Sequence, residues 1–151
     1  MEKRDVRFWL LQVPGWLLLA YLIYAQALPA FDYELGVALG TQEAAAQITE
    51  VGVAFWYGFA VADLAIYIPL LLAGLTGHWR GRTRGRLLLA GALGITLYWP
   101  VVSLTAVVAA RDAPGWNIAD EAAYWVVLPL IAVWAAWALC YLSGHDRHRY
   151  S

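Results

Sequence analysis

The chain is short of the residues that most chemistry needs. Its 151 residues hold one cysteine, Cys140, and three histidines, His78, His145 and His148. A single cysteine excludes a disulfide within the chain and a CxxC redox centre. Cys140 lies in an apolar run, the setting of a buried and inert thiol. All three histidines read as polar-segment residues beside arginines rather than residues inside apolar spans, which argues against haem ligation between helices. No Cys/His/acid spacing fits a metal site, and there is no Gly-rich phosphate loop, nucleophile elbow or catalytic triad. An enzyme built on this chain would have to work with carboxylate and tyrosine alone. The sequence therefore implies no cofactor and no metal, and leaves open whether any bond is made or broken.

Charge is scarce too, at 14% of residues against 62% hydrophobic, with mean hydropathy +0.59. The basic residues are few and flank apolar runs, so nothing points to nucleic acid. Four runs are long and apolar enough to cross a membrane as helices. They are expected at about 8–28, 51–75, 86–110 and 122–142 of a single domain covering 1–151. The fold class is accordingly an all-α membrane protein, a four-transmembrane-helix bundle. Lys3, Arg4 and Arg7, Arg80, Arg82, Arg84 and Arg86, and Arg147 and Arg149 all fall on one side of these spans. Only Arg111 falls on the other, with Asp32, Glu34, Glu43, Glu50, Asp112, Asp120 and Glu121. The positive-inside rule then places both termini in the cytoplasm, across an inner or plasma membrane. Ala25-Gln26-Ala27 has the look of a signal-peptidase site, but the preceding apolar stretch is longer than a signal peptide needs, so span one is expected to be retained. In the first outer loop Thr41 reads as an N-cap, with helix two starting near Gln42. In the second, Pro114-Gly115 reads as a turn and Asn117 or Asp120 as a cap.

One carboxylate sits where charge costs most. Asp63 falls near the middle of "FWYGFAVADLAIYIPLLLAGL". An acid at that depth costs about 2.5–3.5 kcal/mol on insertion scales and usually faces a bundle interior for a functional reason. At the helical period its face is shared by Trp56, Ala60, Tyr67 and Leu70, and the Tyr67 hydroxyl is within helical reach of the carboxyl. A different face carries Ala54, Gly58 and Ala62, a small-residue ladder suited to close helix packing. Span three offers Thr96, Trp99, Pro100 and Ser103 on one face. Pro69, Pro100 and Pro129 each remove a backbone donor in mid-span and free a carbonyl four residues back. Span one carries a polar stripe of Gln12, Trp16 and Gln26. The expected site is a pocket around Asp63 walled by Trp56, Tyr57, Tyr67, Tyr98, Trp99, Ser103 and Trp125. Glu50, with Asp120 and Glu121, is expected to make its outer mouth acidic. Trp9, Trp79 and Trp116 read as interfacial belt residues.

The stretch "DLAIYIP", Asp63 to Pro69, resembles the acid-Leu-x-x-x-x-Pro stretch on the second helix of the EXPERA superfamily, which includes the emopamil-binding sterol isomerase and related sterol- and drug-binding receptors. The resemblance implies four helices with both ends cytoplasmic, an aromatic cavity between proline-interrupted helices, and pairing of Asp63 with a cationic ligand amine. The chain departs from the family in two ways. The best stand-in for the family's second acid is Asp32, far out in the loop. The intramembrane His and Glu partners of the isomerase are missing. The resemblance thus implies a ligand pocket more than isomerase catalysis.

Three functions fit these features. The first is binding of a hydrophobic small molecule or lipid, cationic if Asp63 is ionised. The second is an accessory or assembly subunit of a larger membrane complex, with the small-residue ladder meeting a partner membrane subunit. The third is a proton-coupled transporter working as a homodimer, although no internal repeat supports alternating access.

Overall fold

The computed structural model describes residues 5–118 and 121–144. Among these, four apolar helices are long enough to cross a membrane: Val6–Phe31, Ala45–Trp79, Thr83–Ala110 and Tyr124–Gly144. The first is built from α1 (Val6–Leu22), a π-turn (Ile23–Ala27) and α2 (Leu28–Phe31). A short α3 (Tyr33–Ala38) follows in the loop. The second span is α4 (Ala45–Ala62), a π-turn (Asp63–Tyr67) and α5 (Ile68–Trp79). The third is α6 (Thr83–Ala110) and the fourth belongs to α7 (Ala122–Gly144). Lys3, Arg4, Asp120, His145, Arg147, His148 and Arg149 lie outside the described residues.

The two π-turns have one cause. Proline lacks an N–H, and its ring crowds the carbonyl four residues earlier. Pro29 and Pro69 would each meet such a carbonyl, at Ala25 and Ala65. The helix widens just before each proline, so that the Leu28 N–H bonds Ile23 O and the Ile68 N–H bonds Asp63 O. Widened turns of this kind are rare and recur at functional sites. Here they pack against each other and set Asp63 at the junction between α4 and α5. The Ala25 carbonyl, which Pro29 cannot serve, accepts from Gln42 Nε2 at 2.8 Å. That bond ties the first loop onto span one.

Helix two starts later than the sequence suggests. Ala44 is the N-cap, its N–H held by Gln47 Oε1 at 2.9 Å, and Thr41 instead donates to Gly36 O at 3.1 Å. After one helical turn the chain kinks at Thr49, whose φ of 66° and ψ of 166° belong to a region open mainly to glycine. Thr49 Oγ1 then receives the Gly52 N–H at 3.4 Å and caps the long segment. The kink also turns the Gln47 carbonyl outward, where the Asn117 N–H meets it at 2.6 Å. Asn117 thus ties the second loop to the kink through its backbone.

The closest packing is not where the small-residue ladder predicts it. A Cβ on Gly58 would meet nothing within 4 Å, and Ala54, Gly58 and Ala62 lie in a shallow groove on the outside of the bundle. The close seam is at the α5–α6 hairpin. A Cβ on Gly85 would lie 2.2 Å from the Gly77 carbonyl carbon, and one on Gly74 would lie 2.6 Å from the Leu89 Cα. The hairpin is tight enough that only glycine admits the crossing. The buried core spreads from this seam through Leu11, Leu71, Leu75, Leu89, Leu93, Ala135 and Ala138. It fills the end of the bundle that holds Val6, Trp79 and Gly144. At that end Gln12, fully buried, bonds Leu75 O at 3.3 Å, His78 Nδ1 at 2.8 Å and the Trp16 indole at 2.9 Å. His78 therefore belongs to the end of span two rather than to a polar loop. Cys140, expected to be buried, is exposed on α7.

Candidate functional site

The other half of the bundle is hollow. A cavity of about 640 Å³ is lined by all four spans and by residues of the first loop. That volume suits a drug-sized ligand. Leu18, Leu22, Phe59, Val127, Leu128 and Ile131 give it apolar walls. Its polar lining is concentrated in two places, one near the middle of the spans and one near the first loop.

The inner place is built on helix two. Asp63 is only 6% exposed and faces the cavity from the π-turn. Tyr67 lies one turn deeper, and its hydroxyl contacts Thr96 Oγ1 at 2.5 Å. Thr96 spends its own hydrogen on the Ala92 carbonyl at 2.9 Å. A threonine hydroxyl has one hydrogen. Tyr67 must therefore be the donor to Thr96, and its hydrogen points away from Asp63. The tyrosine-to-carboxylate bond that the helical spacing allows is replaced by a bond across to span three. No side-chain hydrogen bond joins the Asp63 carboxyl to another described residue. The floor of the cavity thus presents acceptors, the Asp63 oxygens and the lone pairs of Tyr67. Among the described lining residues there is no lysine, arginine or histidine to neutralise the acid.

The outer place centres on Glu43. One carboxylate oxygen accepts the Trp56 indole N–H at 2.9 Å and the other accepts the Tyr124 hydroxyl. Tyr33 donates to the Glu43 backbone carbonyl at 3.0 Å. Burial, with Glu43 and Glu34 nearby, pushes the Tyr33 hydroxyl up to about 12, so it stays protonated as that donor. Gln26, Gln42, Gln47 and Tyr21 complete this rim. Glu43 is thus gripped by spans two and four where it lines the loop end of the cavity. It reads in the sequence as a topology-setting acid in the helix start after Thr41. Its partner Tyr124 lies 81 residues away, beyond any local pattern.

The residues expected from sequence divide into two groups. Asp63, Tyr67, Trp56, Trp99 and Ser103 line the cavity together. Tyr57, Tyr98, Trp125 and Glu50 do not. Tyr98 is 64% exposed on the outer face of α6, and Tyr57 reaches Ala30 O at 3.4 Å from outside the cavity. The Trp125 indole points to Glu121 at 3.4 Å, and Glu50 lines the external groove with Ala54 and Gly58. Glu121 is held by Arg111 in an ion pair whose hydrogen bond lowers the glutamate from the usual carboxylate range. Trp116, expected to lie in the interfacial belt, stacks edge-on against Trp56 at 6.4 Å, behind the rim. No group of described histidines, cysteines and acids could hold a metal ion.

Compared with known proteins, the chain matches no family model, no curated protein and no solved structure.

Proposed function

We propose that this is an integral membrane protein, both termini cytoplasmic, that binds a hydrophobic amine or amine-bearing lipid in the cavity, with Asp63 as the anchoring group. The observation that carries this reading is Asp63 itself: a buried carboxyl, turned to a cavity, with no hydrogen-bonding side chain and no basic residue beside it. An ionised acid there is expensive unless a cation joins it. A guest ammonium supplies the charge and the N–H groups that the Asp63 oxygens can accept. Between Asp63 and the polar Glu43 rim the wall is largely apolar and aromatic, which fits a hydrophobic guest.

The test is gentle release of the protein from nanodiscs into a native mass spectrometer, for wild type and Asp63→Asn. The amide is nearly isosteric but cannot be charged. A bound mass of a few hundred daltons in wild type, weakened about tenfold to a hundredfold in the variant, is the expected outcome, since a charge-assisted bond contributes about 1.5–3 kcal/mol. Equal retention by both proteins refutes the reading.

The open groove along Ala54, Gly58 and Ala62 favours a second reading, in which helix two also meets another membrane helix. Gly58→Leu would then dissociate a complex that survives mild detergent in wild type. A wild-type protein that sediments as a lone monomer removes this reading.

A further inference from the structure

Asp63 shares its cavity with a second acid that lacks a counter-ion. Glu43 lines the same space from the loop end, and neither carboxylate pairs with a cation among the described residues. Two negative charges facing one largely apolar space repel each other, and each is costly without a partner.

Both carboxylates keep room for a donor. The sealed side-chain atoms without a partner, among the described residues, are the indole nitrogens of Trp99 and Trp116. The Asp63 oxygens are not among them: unbonded and turned to the cavity, they stay reachable from it. Glu43 is half-buried. It accepts one bond at each oxygen, from the Trp56 indole and the Tyr124 hydroxyl, and both donors line the cavity beside it. A carboxylate has about four acceptor positions, so about two remain on Glu43.

Helix two sets the distance between the acids. Trp56, which holds Glu43, precedes Asp63 by seven residues, a rise of about 10 Å. A long helical side chain leans toward the helix N-terminus, so the Glu43 carboxylate lies at the level of Trp56 or beyond it. Phe59 lies between Trp56 and Asp63 on helix two, and Leu128 stands one turn past Tyr124 on span four. The cavity thus runs from acid through apolar wall to acid.

Resting on the cavity reading above, we infer that the guest is an elongated dication, with one ammonium group on Asp63, a second on Glu43, and a methylene chain along Phe59 and Leu128 between them. The ligand class narrows from any hydrophobic amine to α,ω-diamines and their N-alkyl relatives. With up to about 2.8 Å of N–H···O bond at each end, the two nitrogens stand about 6–10 Å apart, which roughly four to seven methylene groups span. An amine with a single head leaves Glu43 unpaired.

The test compares hexamethylenediamine with heptylamine, in which a methyl group replaces the second ammonium. Both are titrated calorimetrically into the full-length protein in nanodiscs of zwitterionic lipid, with empty nanodiscs as the blank. The diamine is expected to bind wild type about tenfold more tightly, the effect of one further charge-assisted bond. In Glu43→Gln, which keeps an acceptor for the Trp56 indole, the two compounds should bind equally. Should that variant fail to fold, chain length decides in wild type: trimethylenediamine is too short to reach both acids and should gain nothing over butylamine. A diamine advantage that survives Glu43→Gln, or that is the same at both chain lengths, overturns the inference, because the second charge is then read elsewhere. Equal affinity of hexamethylenediamine and heptylamine for wild type also overturns it, and leaves the cavity reading intact if Asp63→Asn weakens both. If neither compound distinguishes wild type from Asp63→Asn, the cavity reading falls, and this inference with it.

Discussion

Two residues away from the cavity show what single side chains contribute. Thr49 holds a backbone conformation that a β-branched residue rarely adopts. Its hydroxyl caps the segment beyond the kink, at the long distance of 3.4 Å. The strain is of order 1–3 kcal/mol and a weak cap contributes less. Thr49→Gly is therefore expected to raise stability by about 1 kcal/mol, read as a higher thermal midpoint in detergent. A lower midpoint would show that the cap outweighs the strain. Glu121 offers a different test. The Arg111 hydrogen bond lowers its folded-state pKa, so its contribution is present above the unfolded value and disappears as pH falls through the folded one. The difference in thermal midpoint between wild type and Glu121→Gln should be present near neutral pH and shrink as pH falls through the folded value. The pair is exposed, so the effect should be small and should weaken with salt.

At the scale of elements, prolines decide where the helices widen and what must be sewn back. The Ala25 carbonyl lost its helical donor to Pro29 and regained one from Gln42. Gln42→Ala should cost about 1–3 kcal/mol, the penalty of a buried carbonyl left unserved. Pro29→Ala in the same protein returns a backbone N–H to the helix. A double-mutant cycle should then show the two changes compensating by about 1 kcal/mol. Strict additivity would mean that the Gln42 bond does not stand in for the missing helical one. The α5–α6 hairpin makes a blunter case. Gly85→Ala places a methyl against the Gly77 backbone, which no rotamer can move. A loss of about 1–3 kcal/mol or more is expected, measured by the midpoint of unfolding. Gly58→Ala, on the open groove, should be near neutral for the monomer and so serves as the control.

At the scale of the whole molecule, legibility in the sequence followed the range of the interaction. Four apolar helices are plain from hydropathy, because the signal for a span is local and long. Asp63, Tyr67, Trp56, Trp99 and Ser103 could be placed on interior faces, because helical periodicity is local too. The direction of the Tyr67 hydrogen could not, since it depends on what Thr96 does with its own. Glu43 was hidden for the same reason. Its role comes from Tyr124 on the last span and Trp56 on the second. The small-residue ladder says that a face can be packed closely, not by what, and within this chain nothing packs on Gly58.

The bundle is solid at one end and hollow at the other, and the two ends should differ in softness. Close-packed interiors resist compression, whereas a void gives way. Hydrostatic pressure would act first on the walls of the 640 Å³ cavity, between Asp63 and Glu43, and leave the glycine hairpin almost unchanged. A guest that fills the space would stiffen only that half. A bilayer set around the four apolar helices would likewise deform that compliant half before the packed one.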